Sequence, residues 1–431
     1  MKYWIETYGC QMNKAESNAL ELELNIMGWE AAESPESATL AIINTCSVRK
    51  TAEDRIWGRI GFFKRIKKDN PHQKLIITGC MAERLGNELT GTKSPVDKVF
   101  GTFEKNQIVD YLLEREISVE YADNEYIFKN LHSGKSAFKS FIPIMNGCNN
   151  FCSYCIVPYV RGREISRNPD EIFNEIVKLE EIKIKEITLL GQNVNSYYFQ
   201  NNSKVTDFPD LLESISKKVE SIEWIRFLTS HPKDLSDKLI EVLSNHRNIC
   251  RHIHLPLQSG SDKILGLMNR KYNSSYYYNL VEKLKKSIPG ISITTDIIVG
   301  FPGEDENDFI NTYSMMENIK FEDAFTYYYN ARKGTKADSY EDNIPKEIKL
   351  ERLSQIIRLQ KQISHDTRKK KIGNTVKVLS EGLSKNNGNE LIGRTEYDEM
   401  IVFPGNHDKI GMMQNVKITS LKGNTFKGEI K

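Results

Sequence analysis

The stretch Cys148-Asn-Asn-Phe-Cys152-Ser-Tyr-Cys155 places three cysteines within eight residues, at the spacing C-x3-C-x2-C. Thiolates this close together suit a soft metal centre, either zinc or an iron–sulfur cluster. Structural zinc sites and electron-carrying clusters normally have four protein ligands, but the next cysteine in the sequence is Cys250. A cubane held by three cysteines would leave one iron open for another ligand. The spacing therefore predicts a cluster that does chemistry, with a zinc knuckle or a chance grouping as the alternative.

The residues before these cysteines indicate where they lie in the fold. Residues 140–145 have the apolar composition of a short buried strand, so the cysteines occupy the loop at its carboxyl end. Active sites of parallel α/β sheets and barrels are built at that edge. We therefore expect this loop to be part of an active site.

Residues 147–167 read Gly-Cys-Asn-Asn-Phe-Cys-Ser-Tyr-Cys-Ile-Val-Pro-Tyr-Val-Arg-Gly-Arg-Glu-Ile-Ser-Arg. This segment resembles the cluster loop of the radical S-adenosylmethionine (SAM) enzymes, and in particular that of the methylthiotransferase family. The resemblance implies that Cys148, Cys152 and Cys155 hold a 4Fe–4S cluster whose open iron binds the amino and carboxylate groups of SAM. It also implies that Tyr154 packs near the adenine.

The composition of the whole chain is ordinary for a multidomain globular protein. It has 431 residues, of which 39% are hydrophobic and 27% charged, and a net charge of +2, so any nucleic-acid-binding surface must be local. No apolar run of membrane-spanning length and no signal peptide are evident, and we expect a cytoplasmic protein without a membrane partner. Seven cysteines in a reducing compartment favour metal binding or catalysis over disulfides.

Three further cysteines each follow a predicted strand in the first part of the chain. Strands over residues 2–9, 38–45 and 74–79 run into Cys10, Cys46 and Cys80, and helices are predicted over 15–27 and 51–69. This β-α-β-α-β-α order predicts a parallel, flavodoxin-like α/β domain whose loops meet at one edge. The three thiols could therefore share one metal site, although small buried cysteines at strand ends are the plainer alternative.

The segments around these cysteines, residues 7–13, 44–49 and 79–84, resemble the amino-terminal domain of the same family. That resemblance implies that Cys10, Cys46 and Cys80 hold a second, auxiliary 4Fe–4S cluster, again with one open iron. In the family, this cluster handles the sulfur that is inserted.

Strands and helices alternate in the middle of the chain. Strands are predicted over residues 140–145, 186–190, 224–228, 252–255, 291–299 and 323–327, with helices between them, for example over 169–184 and 305–320. Six βα units match the open (β/α)6 barrel of the radical SAM superfamily. Residues 118–139 are polar and weakly patterned, and we expect a connection of irregular strands there.

Polar or glycine-rich turns follow two of these strands, at residues 191–195 and 300–304. Their resemblance to family segments implies SAM contacts by Gln192, Asn193, Asp296 and Glu304, although plain connecting turns are equally compatible with the sequence. Other residues receive no catalytic role. They are the structural thiol Cys250, the structural or substrate-facing histidines His231, His252 and His254, and the tyrosine runs at 276–278 and 327–329.

The last part of the chain predicts a small β-barrel preceded by a basic helix. The helix, over residues 346–371, holds nine Lys or Arg against three Asp or Glu. Five short strands are predicted over 375–379, 391–395, 400–403, 415–419 and 425–430, which suggests a closed barrel of oligonucleotide-binding style. Residues 393–395 and 402–405 resemble the TRAM domain, an RNA-binding module, and the basic helix suits an RNA backbone.

The resemblance covers nearly the whole chain and implies domains over 1–117, 134–366 and 368–431. It implies a tRNA methylthiotransferase that replaces C–H with C–SCH3 at carbon 2 of N6-isopentenyladenosine, next to the anticodon on its 3′ side. Two 4Fe–4S clusters and two SAM molecules would serve the reaction, with an external one-electron reductant. We expect a monomer whose partner is the tRNA anticodon stem-loop.

Three alternatives remain at this point. Other branches of the family act on threonylcarbamoyladenosine in tRNA, or on an aspartate of a small-subunit ribosomal protein. Residues 372–431 hold eight basic and seven acidic residues, which favours RNA over that basic protein only mildly. The third alternative is an iron–sulfur electron carrier or sensor with an RNA-binding tail, against which the two three-cysteine sets argue.

Overall fold

The structure is a computed structural model that describes residues 1–47, 50–91, 93–115, 138–202, 204–385 and 387–431. The chain forms two compact units. The first comprises residues 1–151, 155–182 and 188–192, and the second comprises 152–154, 183–187 and 193–431. The connection predicted over residues 118–139 lies, up to residue 137, outside the described residues.

The amino-terminal part of the first unit is a five-stranded parallel sheet, as predicted. Its strand order is β2-β1-β3-β4-β5, and every described pair of neighbours is parallel. The sequence did not predict the short edge strands β2 and β5. The strands are β1 (Lys2–Thr7), β2 (Glu30–Ala31), β3 (Leu40–Thr45), β4 (Lys74–Gly79) and β5 (Lys98–Phe100). The helices are α1 (Gln11–Ile26), α2 (Lys50–Asp69), α3 (Cys80–Leu85) and α4 (Gln107–Leu112).

Helices cover both faces of this sheet. Successive side chains of a strand point to opposite faces, so Ile43 packs in one cluster with Phe63 of α2. Its neighbour Ile42 packs in another cluster with Leu24 of α1. With both faces buried, the loops at the carboxyl ends of the strands are the part of the sheet left to build a site.

The six predicted barrel strands are all present. Two three-stranded sheets have the orders β12-β9-β6 and β13-β14-β15, and the second of them is parallel. A hairpin, β10-β11, and a short pair, β7-β8, were not predicted. The strands are β6 (Lys139–Pro143), β7 (Met145–Asn146), β8 (Ile165–Ser166), β9 (Glu186–Leu190), β10 (Tyr198–Asn201), β11 (Lys204–Asp207), β12 (Trp224–Leu228), β13 (His252–His254), β14 (Ser292–Val299) and β15 (Asp323–Tyr328).

Helices separate these strands along the chain, as the alternating pattern requires. None of the helices in the described residues is long and apolar enough to cross a membrane. They are α5 (Val157–Arg161), α6 (Pro169–Glu181), α7 (Phe208–Lys218), α8 (Asp237–Asn245), α9 (Asp262–Leu267), α10 (Ser274–Ser287), α11 (Glu306–Ile319) and α12 (Lys346–Lys369).

The carboxyl-terminal residues form a closed five-stranded barrel, which confirms the prediction. Its order is β16-β17-β18-β20-β19, with β18 and β20 parallel and the other pairs antiparallel. Four strands run longer than predicted. In β16 and β19, β-bulges interrupt the alternation, between Ser380 and Gly382 and between Ile418 and Ser420. The strands are β16 (Thr375–Ser384), β17 (Asn387–Thr395), β18 (Met400–Pro404), β19 (Met413–Lys422) and β20 (Thr425–Ile430).

Within the second unit, the loop between β17 and β18 is bound to the larger barrel by charged groups. The buried Arg226 of β12 donates to the carbonyl oxygens of Thr395 (2.7 Å) and Glu396 (3.2 Å). Lys371 Nζ lies 2.5 Å from Glu399 Oε1 and 3.0 Å from Glu322 Oε2. The small barrel is therefore held to the rest of the second unit by hydrogen bonds from Arg226 and by the ion pairs of Lys371, with α12 as the covalent link.

Candidate metal centres

The cysteines of the first unit lie at the carboxyl ends of three neighbouring parallel strands. Cys10 follows β1 and precedes α1, Cys46 follows β3, and Cys80 opens α3 directly after β4. Cys46 and Cys80 are buried and Cys10 is exposed, and all three are free thiols. The topology therefore brings them to one edge, as the sequence predicted.

Two glycines allow these cysteine loops to approach each other closely. A Cβ at Gly9 would lie 2.7 Å from Cys46 Cβ and 3.2 Å from its Sγ, and Gly9 has a φ of +126°. A Cβ at Gly79, whose φ is +97°, would lie 2.5 Å from the carbonyl oxygen of Thr45. Any side chain at either position would push the loops apart. The glycine that precedes Cys10 and the one that precedes Cys80 thus place both residues beside Cys46.

Asn13 ties the first two loops together through hydrogen bonds. Its Nδ2 donates to the carbonyl oxygens of Tyr8 (3.1 Å) and Thr45 (2.8 Å). Its Oδ1 lies 3.4 Å from Cys10 Sγ, which donates to it as a thiol. Asn13 is fully buried, so these bonds fix the backbone around Cys10 and Cys46 in one arrangement.

A buried charge network lies beside these cysteines. Arg161 is 2% exposed, and its Nη atoms donate to Glu16 Oε1 (2.9 Å) and Asn13 Oδ1 (3.1 Å). Lys105 forms a second ion pair with Glu16. Burial alone would raise the pKa of Glu16, but Arg161 and Lys105 lower it to about 2. Burial raises the pKa of the Cys80 thiol, and the positive charges of Arg161 and Lys105 oppose this effect. Arg161 and Lys105 thus favour the Cys80 thiolate at this edge.

Cys148, Cys152 and Cys155 lie together on the loop between β7 and α5. Cys148 N donates to the carbonyl oxygen of Gly162 (3.1 Å), and Asn150 Nδ2 donates to Cys148 Sγ (3.5 Å). At Gly147, whose φ is +82°, a Cβ would lie only 1.9 Å from the carbonyl oxygen of Arg163. The start of the loop is therefore packed directly against the segment that follows α5.

In the second unit, Arg270 holds the middle of this loop. It is 8% exposed, and its Nη1 lies 3.4 Å from Cys152 Sγ and 3.5 Å from Tyr154 Oη. Its Nη2 donates to the carbonyl oxygen of Pro256 (3.0 Å). The backbone N–H of Ser153 donates to the carbonyl oxygen of Met268 (3.0 Å). Arg270 was not singled out from the sequence, and its presence after a helix end gave no signal of burial.

The predicted SAM contacts lie in loops after strands, except Asp296, which lies within β14, and they differ in surroundings. Tyr154 packs edge-on against Phe301, with ring centroids 6.5 Å apart. Glu304 Oε1 accepts from Gly300 N (2.7 Å) and Arg352 Nη1 (2.8 Å), so part of this carboxylate fixes the turn after β14. Asp296 Oδ2 lies 3.3 Å from His254 Nε2. Gln192 and Asn193 lie in the turn that follows β9.

Buried polar atoms without partners follow several strands of the second unit. Buried polar groups are normally hydrogen-bonded, so several such atoms in one region indicate a place for a polar ligand. They follow β9, β12, β13 and β14, and have no hydrogen-bond partner among the described residues. These atoms are Asn193 Oδ1, Asn195 Oδ1 and Nδ2, Ser230 Oγ, Gln258 Oε1 and Glu304 Oε2.

The two sets of three cysteines are chemically suited to bind iron–sulfur clusters. Each set consists of three free cysteines on neighbouring backbone, with a buried arginine close by. Within the described residues, no group of three or more His, Cys, Asp or Glu side chains has the arrangement of a single-ion site. A cubane differs from such a site because each thiolate binds a different iron, which spaces the sulfurs more widely.

The histidines in the second unit make structural contacts. His252 Nε2 and His254 Nδ1 both lie 3.0 Å from Thr294 Oγ1, and His231 Nδ1 accepts from Lys233 N (3.3 Å). Burial lowers the pKa of His252 to about 4, an effect that Asp398 opposes. His252 is therefore neutral near pH 7, and all three side chains are occupied by local bonds.

Comparison with known proteins agrees with this arrangement of domains. Residues 142–316 match the Radical SAM superfamily, residues 2–101 match the uncharacterized protein family UPF0004, and residues 369–431 match the TRAM domain. A tRNA-2-methylthio-N(6)-dimethylallyladenosine synthase from Treponema denticola is 46% identical, with all of both chains covered. The chain belongs to the family of tRNA-2-methylthio-N(6)-dimethylallyladenosine synthases. Synthases of the same name from Treponema pallidum and Clostridium botulinum are 42% and 43% identical, over 100% and 99% of this chain and 99% and 95% of theirs.

Solved structures show the same fold at low sequence identity. The radical SAM methyltransferase TsrM from Kitasatospora setae matches with TM-scores of 0.53 and 0.56 in two structures, at 14% and 12% identity. The matches cover 75% and 76% of this chain and 72% of the other. The family therefore rests on the synthases, and these structures support the radical SAM fold. Membership makes the protein a transferase that uses SAM and a 4Fe–4S cluster.

Proposed function

We propose that the protein adds a methylthio group to carbon 2 of N6-isopentenyladenosine beside the anticodon of tRNA. The observation that carries this proposal is the similarity over the full chain to synthases named for that reaction, at 46% identity. An external one-electron reductant, a monomeric state and a cytoplasmic location complete the proposal.

Two clusters divide the work in this proposal. Cys148, Cys152 and Cys155 would hold the radical SAM cluster, and Cys10, Cys46 and Cys80 the auxiliary one. When bound, these groups supply one-electron cleavage of SAM and the sulfur that is inserted. Three-cysteine ligation leaves an open position at each cluster, which both tasks require.

The side chains around each set have separate tasks. Arg161 and Arg270 would offset the negative charge of the thiolates in a buried setting, where charge interactions are strong. Asn193, Ser230 and Gln258 have buried polar atoms available for the polar groups of SAM. Tyr154 would support the adenine from its position against Phe301.

An RNA partner is supported by the exposed face of α12. Arg358, Lys361 and Lys369 are exposed there, and the helix leads directly into the small barrel. Spaced cations of this kind suit a phosphate backbone.

The test is a product analysis without oxygen. The reconstituted protein would be incubated with SAM, a reductant and an isopentenylated anticodon stem-loop, and the nucleosides analysed by mass spectrometry. We expect the methylthio derivative of isopentenyladenosine together with 5′-deoxyadenosine. Modification only of a threonylcarbamoyladenosine stem-loop or of a ribosomal-protein aspartate would assign the protein to another branch. Absence of 5′-deoxyadenosine with every substrate would favour an electron carrier or sensor.

A further inference from the structure

One exposed helix face in the first unit is not explained by the proposed cluster sites. Helix α2 buries Ile56, Ile60 and Phe63 in the core beside the sheet. Its outer face carries Trp57, Gly61, Lys64 and Lys68, at intervals of four, three and four residues, and all four are exposed. These intervals place them along one side of the helix. Together with the adjacent Gly58, we call this the tryptophan face.

Trp57 is unusual for its exposure. It is 45% exposed, whereas Trp4 and Trp29 are half-buried and Trp224 is buried. A single exposed apolar residue is common on protein surfaces and needs no explanation. A tryptophan followed by cations along the same side of a helix, however, is also an arrangement on which nucleic-acid bases stack.

The two glycines provide a second, independent observation. Glycine is, after proline, the least favourable residue inside a helix, yet Gly58 and Gly61 both lie within α2. At Gly9 and Gly79, close neighbours account for the missing side chain. At Gly58 and Gly61, a Cβ would meet nothing within 4 Å. No packing of the described chain thus accounts for these glycines, and they leave a flat patch that a partner can approach closely.

The charges beside this patch indicate the chemistry of that partner. Lys64, Arg65 and Lys68 are exposed beyond Gly61, whereas the exposed acid Asp54 lies one turn before Trp57 and Asp69 ends the helix. The cations of the tryptophan face therefore lie on the carboxyl-terminal side of Trp57. Cations beyond an aromatic side chain suit a polyanion whose units carry flat rings. That description fits single-stranded RNA better than an acidic protein, because a nucleobase can stack on the tryptophan ring and an acidic side chain cannot.

The tryptophan face lies on the helix that begins soon after a cysteine of the candidate auxiliary site. Helix α2 begins at Lys50, soon after Cys46. At 1.5 Å per residue, Trp57 lies roughly 10 Å and Lys68 roughly 27 Å along the helix from its start. A nucleotide held at the cysteine edge would therefore have neighbouring nucleotides within reach of Trp57.

We propose that the tryptophan face binds the single-stranded loop of the RNA substrate. One base stacks on Trp57, the backbone passes over Gly58 and Gly61, and phosphates contact Lys64 and Lys68. This inference rests on the proposed function, because it takes the substrate to be RNA. It adds a binding surface on the amino-terminal domain to the one expected of the TRAM domain.

The first test measures RNA affinity of the reconstituted enzyme by fluorescence anisotropy. The probe is a fluorescein-labelled, isopentenylated anticodon stem-loop, titrated without oxygen in the presence of SAM. Trp57→Ala is expected to raise the Kd about tenfold, within the range for loss of one stacked base, and Trp57→Phe should retain most of the affinity. Ile26→Ala is the matched control: Ile26 is 77% exposed but ends α1, away from Cys10. Its Kd should equal that of the wild type.

A second variant separates docking from folding. Gly61→Gln replaces glycine with a good helix former in open space, so the Tm should hold or rise. Since the added side chain would occupy the flat patch, the Kd for the stem-loop should nevertheless rise about fivefold or more. In the wild type, the stem-loop should also protect Trp57 from quenching by acrylamide.

Unchanged Kd values for Trp57→Ala and Gly61→Gln would overturn the inference. Protection of Trp57 by a polyglutamate peptide but not by the stem-loop would assign the face to an acidic protein instead. If the wild type binds and methylthiolates the stem-loop while these variants bind equally well, only this inference fails. If the wild type neither binds nor modifies the stem-loop, the proposed function fails with it.

Discussion

Arg270 stands beside a cysteine of one predicted cluster, with its guanidinium 3.4 Å from Cys152 Sγ. A buried cation there would offset the charge of a cluster-bound Cys152, and its bond to the carbonyl oxygen of Pro256 fixes the guanidinium in place. We therefore expect Arg270→Met to lower the iron retained by the radical SAM site and to slow SAM cleavage about tenfold or more. Lys271→Met, at the exposed neighbouring position, is the control. Equal iron content and equal 5′-deoxyadenosine release in both variants would contradict this role.

Arg161 is the corresponding buried cation beside the other three cysteines. Its removal would leave the buried Glu16 carboxylate with Lys105 alone, and breaking a buried pair typically costs about 3–5 kcal/mol. We expect Arg161→Leu to lower the free energy of unfolding of the apoprotein in urea by an amount of that order. The double variant Arg161→Leu/Glu16→Leu should recover part of the loss. No recovery would show that Arg161 stabilises the fold through packing alone.

The same ion pair predicts a pH dependence. The pKa of Glu16 is lowered from 4.5 to about 2 in the folded protein, against the effect of burial, by Arg161 and Lys105. Its contribution to stability is therefore present above pH 4.5 and is lost as the pH falls toward 2. The unfolding free energies of wild type and Glu16→Gln should converge over that range. A constant difference between them would contradict the lowered pKa.

Among individual residues, the sequence revealed the cysteines but not the side chains that contact them. Cys148, Cys152 and Cys155 are close in sequence, so their spacing alone indicates a shared site. Arg161 and Glu16 are 145 residues apart, and their contact depends on tertiary packing that no local pattern encodes. A buried arginine and an exposed one have the same local sequence signature.

Among the elements, the loop between β17 and β18 carries a titratable group at a buried junction. Burial raises the pKa of Glu399 to about 7, although Lys371 opposes the effect. The folded state thus binds the proton more tightly than the unfolded state, so stability falls as pH rises from 4.5 toward 7. From pH 5 to pH 8, the unfolding free energy of the wild type should fall relative to that of Glu399→Gln, by on the order of 2 kcal/mol.

The matched control for this loop is Glu429→Gln, because Glu429 is exposed on β20. Its unfolding free energy should differ from that of the wild type by a constant amount across the same pH range. The measurement is denaturant unfolding at both pH values. A constant difference for Glu399→Gln as well would show that Glu399 is ionised throughout.

Element types were predictable where hydrophobic periodicity was uninterrupted. The strand over 186–190 has the predicted limits because apolar positions recur without a break, and the helix predicted over 169–184 begins at Pro169 but ends at Glu181. Strands β16 and β19 were predicted too short, since a bulge shifts the register and reverses which side chains face the core. Strands β2 and β5 hold two and three residues, too few to show any period.

For the whole molecule, the order of domains followed from the sequence because each has its own pattern. Buried parallel strands, alternating βα units and short antiparallel strands are distinct signals. The tryptophan face was not predicted, since an exposed Trp57 and open space beside Gly58 and Gly61 can be recognised only once the helix is packed. The buried polar atoms at the barrel strand ends required the packed structure for the same reason.

In the proposed function, two separate three-cysteine sets hold two clusters with different tasks. The most direct test counts iron and sulfide in the protein after anaerobic reconstitution, for the wild type and for two triple Cys→Ala variants. We predict about eight irons in the wild type and about four in each variant, as two four-iron clusters require. The variant lacking Cys10, Cys46 and Cys80 should still cleave SAM but form no methylthio product. About four irons in the wild type, or about eight in that variant, would contradict the account.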